Sequence, residues 1–248
     1  MMNDFLLEIC VDSFESARRA AKNGADRLEL CAALLLGGTS PSYTLIRQAV
    51  GLGIPVNVLL RPRFGDFCYT PEEKQEILDQ IRFCRGAGAS GVVIGALNPD
   101  GTLDVEFLAE CMKEAVGMTV TLHRCFDVCR DPRMALEQAV ELGIHTILTS
   151  GQQAGALAGA QLLAQLNEQA AGRIHLMAGS GVSAGNIPQI YAKTGIRHFH
   201  LSGKRTEPGP MAFRREGVPM GLPGLDEWHI PQTDEEKVRT ARRALDKS

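Results

Sequence analysis

Short apolar runs alternate with longer segments of helical character along the whole chain. Eight runs read as strands: Phe5 to Ile9, Asp26 to Leu30, Ile54 to Leu60, Gly91 to Gly95, Thr119 to His123, Thr146 to Leu148, Ile174 to Met177 and Arg197 to Leu201. Helix punctuation recurs between them. Ser13 caps a segment running to about Asn23, with Glu15 in its first turn and Asn23-Gly24 at its end. Thr70-Pro71-Glu72-Glu73 is a stronger start, with a capping residue, proline at the first helical position and then two acids. Asp131-Pro132 repeats the device. Further helices are predicted over about 42–52, 104–115, 155–169, 183–193 and 233–245, with Pro188 interrupting the fourth of these. Residues 202–232 are rich in Gly and Pro and read as one long loop.

Eight strand–helix alternations imply a parallel sheet, and eight of them imply closure. The predicted fold is α/β, a (β/α)8 TIM barrel, with residues 1–248 forming a single domain. A doubly wound open sheet is the alternative. The polar phase of the strands favours the barrel. In Thr119-Val-Thr-Leu-His-Arg-Cys-Phe-Asp127, Val120 and Leu122 alternate with Thr119, Thr121 and His123. A parallel strand buried on both faces is usually apolar throughout. Glu8, Glu29, Arg61 and His200 also lie at or near the ends of apolar runs. A barrel gathers strand ends at one working face, so these groups are expected to converge in its mouth.

Composition narrows the picture. The length of 248 residues matches the roughly 250 of such barrels. A formal net charge of −3 gives no general attraction to nucleic acid or an anionic membrane. No apolar run approaches the roughly 20 residues of a membrane span, and the first residues lack signal-peptide character. A cytoplasmic location is expected. Seven cysteines, without a C-x-x-C pair, argue against structural disulfides. Cys84 and Cys111 fall in predicted helices as small apolar residues. Cys10, Cys31, Cys68, Cys125 and Cys129 fall at or just after strand ends.

Several motifs together resemble the CutC family, often called copper homeostasis proteins. They are Leu30-Cys31, Gly37-Gly-Thr-Ser-Pro-Ser42, Arg61-Pro-Arg63 with Gly65-Asp-Phe-Cys-Tyr69, His123-Arg124 with Phe126-Asp127, and Leu148-Thr-Ser-Gly151. The resemblance runs from about residue 5 to 215. It implies a TIM barrel, a cytoplasmic homo-oligomer (most simply a dimer) and a connection to copper handling. The family's shared residues map onto Glu8, Glu29, Arg61, Arg63, Asp66, His123, Arg124, Asp127 and His200.

Three chemistries compete at the expected site, beside a polar plug that merely closes the barrel. The first is metal binding. Cu(I) favours thiolates and also accepts imidazole, and Cys10 and Cys31 follow neighbouring strands, so both are candidate copper ligands. A different metal held by Glu8, Glu29, His123 and His200 is the variant of this reading. The second is acid–base catalysis on a small anionic or phosphorylated metabolite. Glu8, Glu29, Arg61, His123, Arg124, Asp127 and His200 are the candidate catalytic set, with His123 oriented by Asp127 or a glutamate. The third is a phosphate cradle after the seventh and eighth strands, at Gly179-Ser-Gly181 and Ser202-Gly203, aided by a helix starting near Ser183. Arg63, Thr149, Ser150, Gly179, Gly181 and Ser202 are the candidate substrate- or anion-binding residues.

Overall fold

Eight parallel strands close on themselves in sequence order, the last pairing with the first. They are β1 (Leu6–Val11), β2 (Arg27–Leu30), β3 (Val56–Leu59), β4 (Gly91–Ile94), β5 (Thr119–Leu122), β6 (Thr146–Thr149), β7 (His175–Ala178) and β8 (His198–Leu201). The helices that follow them are α1 (Phe14–Lys22), α2 (Tyr43–Val50), α3 (Pro71–Ala87), α4 (Val105–Glu114), α5 (Pro132–Glu141), α6 (Ala160–Ala170), α7 (Ile187–Thr194) and α8 (Glu235–Asp246). The computed structural model describes residues 5–247 except 219, 222, 223 and 225. The predicted TIM barrel is therefore the observed architecture.

Local chemistry explains where the helices start. Ser13 Oγ accepts from the Ser16 amide, and Asp131 accepts from the amides of Arg133 and Met134. Thr70 and Glu73 form a reciprocal capping box ahead of Pro71. The core divides into two parts because strand side chains alternate. Leu7, Ile9 and Val11 face the helices in one large apolar layer. Inside the barrel, Cys10, Cys31, Leu59 and Val93 form a small separate cluster.

Three sequence expectations are corrected. The expected loop over 202–232 contains an antiparallel hairpin of β9 (Lys204–Pro208) and β10 (His229–Thr233). That hairpin is tied to α1, where Arg19 pairs with Glu207 at 2.7 Å and the Thr233 amide donates to Ser16 Oγ at 3.1 Å. Pro188 does not interrupt a helix starting near Ser183. It occupies the first turn of α7, where its missing N–H and fixed φ are tolerated. The helix expected from Gly155 begins at Ala160, with Gly159 at its N-cap pressed against the loop that leaves β6. A Cβ there would meet the Ser150 carbonyl oxygen at 1.9 Å. Among the described residues, no helix is long and apolar enough to cross a membrane.

Candidate functional site

The inward phase of β1, β2 and β8 builds one wall of the barrel mouth. Glu8 is in register with Arg27 on one side and with His200 on the other, and Cys10 is in register with Glu29. Arg27 Nε donates to Glu8 Oε2 at 2.6 Å, while His200 Nδ1 lies 2.7 Å from Glu8 Oε1. Both carboxylate oxygens of Glu8 are thereby engaged. His200 Nε2 faces Glu29 Oε2 at 3.8 Å. The Cys10 thiol donates to that same Glu29 oxygen at 3.0 Å and lies 3.7 Å from Cys31 Sγ. Among the described residues, Cys10, Glu29 and His200 present ligand atoms within 4.8 Å of one another.

Burial sets the electrostatics of this wall. It pushes the Glu8 carboxyl up, but Arg27 and His200 outweigh it and hold the group down at about 2. Glu29 goes the other way: burial, with the Glu8 charge added, raises it despite His200. Burial also opposes the charge on His200, yet Glu29 and Glu8 prevail and raise it. The Cys10 thiol is pushed well up by its contact with Cys31, by burial and by Glu29. Metal uptake at Cys10 would displace its proton.

The facing wall comes from β3, β5 and their loops. Arg61 is buried, and its guanidinium donates to the Gly38 carbonyl at 3.1 Å and the Gly65 carbonyl at 2.8 Å. It also lies over the Phe67 ring at 5.0 Å. Phe67 also contacts His123, with ring centroids 4.9 Å apart. The Cys125 amide donates to His123 Nδ1 at 3.1 Å, which leaves the ring proton on Nε2. That Nε2 is buried and has no hydrogen-bond partner. Burial, then the Arg61 charge, push the His123 pKa down to about 3. The imidazole is therefore uncharged near pH 7 and presents Nε2–H as a donor.

Asp127 does not orient His123. Its carboxylate accepts from Thr149 Oγ1 at 2.6 Å, the Ser150 amide at 2.9 Å and Ser150 Oγ at 3.0 Å. It also takes Arg124 Nε at 2.6 Å. Asp127 thus anchors the end of β6 and holds Arg124 at the rim.

A cavity of about 550 Å³ separates the two walls. Cys10, Glu29, Arg61, His123, Arg124, Asp127, Gly181, His200 and Ser202 all line it, as the sequence led us to expect. Glu8 and Cys31 sit behind the lining. Other expected residues are turned elsewhere. Arg63 donates to Glu73 and Asp66 and braces the loop between β3 and α3. The Thr149 hydroxyl is spent on Asp127 and on the Gly151 amide. Ser150 bridges Asp127 and Arg124. Gly179 is pressed on Leu148, where a Cβ would stand 2.5 Å from Cδ1. The helix expected to start near Ser183 begins at Ile187, and the Ser183 amide donates to Asn186 Oδ1 at 2.8 Å. The four-residue metal set is also corrected, because Glu8 is saturated and His123 belongs to the facing wall. Arg27 and Phe67 escaped sequence reasoning. Arg27 shares the inward phase of Glu29 and Cys31, which was the signal for it.

Barrel and mouth together define a TIM-barrel protein with a thiol-bearing, ionisable pocket at the C-terminal ends of its strands. A family model described as the CutC family matches residues 5–205. The chain belongs to the CutC family. A family protein CutC of Bacteroides thetaiotaomicron is 44% identical over 247 residues, covering 98% of this chain and 97% of its own. One from Pasteurella multocida is 43% identical over 242 residues, covering 97% and 99%. A crystal structure of a Streptococcus agalactiae protein, proposed to be the copper homeostasis protein CutC, superposes with a TM-score of 0.76 at 30% identity. That match covers 80% of this chain and 98% of the other. A thiamine phosphate pyrophosphorylase from Pyrococcus furiosus has a TM-score of 0.59 at 13% identity, covering 99% and 97%, and shares the fold alone.

Proposed function

We propose that this protein binds Cu(I) as cargo at the barrel mouth, through Cys10, Cys31 and His200, within a cytoplasmic role in copper homeostasis. The approach of the two thiols to 3.7 Å carries the reading. A metal–thiolate bond of roughly 2.3 Å lets two sulfurs on one ion lie up to about 4.6 Å apart, so this pair needs little movement. Two thiolates and an imidazole are also the soft donor set that Cu(I) prefers. Glu8 supports them: by holding His200 Nδ1 it directs Nε2 toward Glu29 and Cys10. All seven cysteines are free, in keeping with a reducing compartment. The related copper homeostasis assignment of the Streptococcus agalactiae protein supports the same reading.

The test is competition against a Cu(I)-specific chelator under anaerobic, reducing conditions. One Cu(I) per chain is expected. Cys10→Ser and Cys31→Ser should each weaken binding at least about tenfold, or about 1.4 kcal/mol. Equal affinity in the wild type and the double variant would remove both thiols from the site.

A further inference from the structure

One ion cannot account for a cavity of about 550 Å³. A bound water takes roughly 30 Å³, whereas small-molecule pockets run from roughly 300 to 1,000 Å³. The wall facing the thiols carries two unmet demands. The first is Arg61. It is 8% exposed, yet its guanidinium meets only the carbonyls of Gly37, Gly38 and Gly65 and the Phe67 ring. Its Nε has no partner. Among the described residues, no carboxylate lies within ion-pair distance of it, while Arg27 is matched by Glu8 and Arg124 by Asp127. A buried charge without a counter-charge is costly. The second is His123, whose Nε2–H is buried without an acceptor. Both groups contact the same Phe67 ring.

We propose that the cavity binds a small organic carboxylate, whose anionic end is taken by Arg61 and the Nε2–H of His123. The apolar body of that molecule lies against Leu36, Val128 and Val182, which line the outer part of the cavity. Leu36 and Val128 are 41% and 62% exposed, an apolar rim that such a body would cover. A monoanion is favoured over a phosphate dianion by charge. One unmatched guanidinium and one neutral imidazole supply a single positive charge, since the rim charges Arg124 and Asp127 are already paired with each other. This subsite is independent of the copper reading, because it uses neither thiol and not His200.

The experiment is calorimetry and ligand-observed NMR on the metal-free full chain, so that failure of Cu(I) binding leaves its outcome unaffected. Acetate, phenylacetate and 4-methylpentanoate are the probes, with phenylacetamide as the neutral control and inorganic phosphate as competitor. Phenylacetate or 4-methylpentanoate should saturate one site, more tightly than acetate, and phenylacetamide should fail. Arg61→Gln and His123→Phe should each weaken binding at least about tenfold. If Arg61→Gln does not fold, His123→Phe decides, since it keeps an aromatic ring in place while removing the Nε2–H donor, together with the acceptor of the Cys125 amide. The proposal is overturned if no carboxylate saturates in the millimolar range. It is equally overturned if either folded variant binds as the wild type does, or if inorganic phosphate displaces the carboxylate.

Discussion

Glu8 and His200, 192 residues apart in sequence, meet at 2.7 Å across the seam where β1 pairs with β8. The contact closes the barrel and orients the imidazole at once. Glu8 is fully buried and also carries Arg27 at 2.6 Å.

Glu8→Gln should therefore destabilise the fold by about 3–5 kcal/mol, because Arg27 and His200 keep their charge and lose its partner. Denaturant unfolding reads this loss. Replacing the pair by apolar residues, Glu8→Leu with Arg27→Met, should recover a large part of it. A double variant no more stable than the single one would show that the cost lies in packing instead of charge.

The pH dependence of stability should report on His123. Its folded pKa is about 3, against 6.5 unperturbed. Between those values the unfolded chain binds a proton that the folded chain refuses. Stability is thus fully present above 6.5 and lost as pH falls, by up to about 1.4 kcal/mol per unit. Glu8, held at about 2, adds a loss only below its unperturbed 4.5. His200 is raised, so its contribution is complete below 6.5 and fades only at higher pH. Between 4.5 and 6.5 neither Glu8 nor His200 contributes a slope, while Glu29, raised above 4.5, acts in the opposite sense to His123. His123→Phe should remove the loss of melting temperature on acidification across this interval, and an unchanged slope would exclude the imidazole as the cause.

Asp127→Asn should cost about 1–3 kcal/mol, since the buried Thr149 hydroxyl and Ser150 amide lose a charged acceptor. Faster hydrogen exchange at the Ser150 amide is the expected accompanying sign. Exchange as slow as in the wild type would show that another group holds the end of β6.

Gly95 and Gly86 should respond oppositely to alanine. A Cβ at Gly95 would meet Cys125 Sγ at 2.4 Å and His123 Cε1 at 2.6 Å, displacing the imidazole at a cost of about 1–3 kcal/mol. A Cβ at Gly86 meets nothing within 4 Å, and inside α3 it should stabilise by up to about 1 kcal/mol. Thermal unfolding of both variants, with the His123 ring resonances followed by NMR, checks the contrast. An unshifted ring in Gly95→Ala would refute the packing argument.

What the chain reveals without coordinates is what local chemistry dictates. Caps at Ser13, Thr70 and Asp131 mark helix starts because the side chain that satisfies the first amides is adjacent in sequence. The inward polar phase at Glu8, Glu29, His123 and His200 is legible because strand alternation has a period of two. The hairpin is not. Lys204–Pro208 is polar on both faces, and its stability comes from Arg19 and Ser16, nearly 190 residues or more away in the chain. The partners of Asp127 were equally hidden, since nothing local shows that its oxygens turn to the next strand and away from His123. Likewise the lowered pKa of His123 follows from burial and from Arg61, which only the folded barrel brings beside it.

The seam between the first and last strands also sets a schedule for assembly. On the ribosome, Glu8 emerges 192 residues ahead of His200. A nascent chain released between them would hold Glu8 buried without its imidazole partner, and the first strand would wait with an open edge until β8 is made.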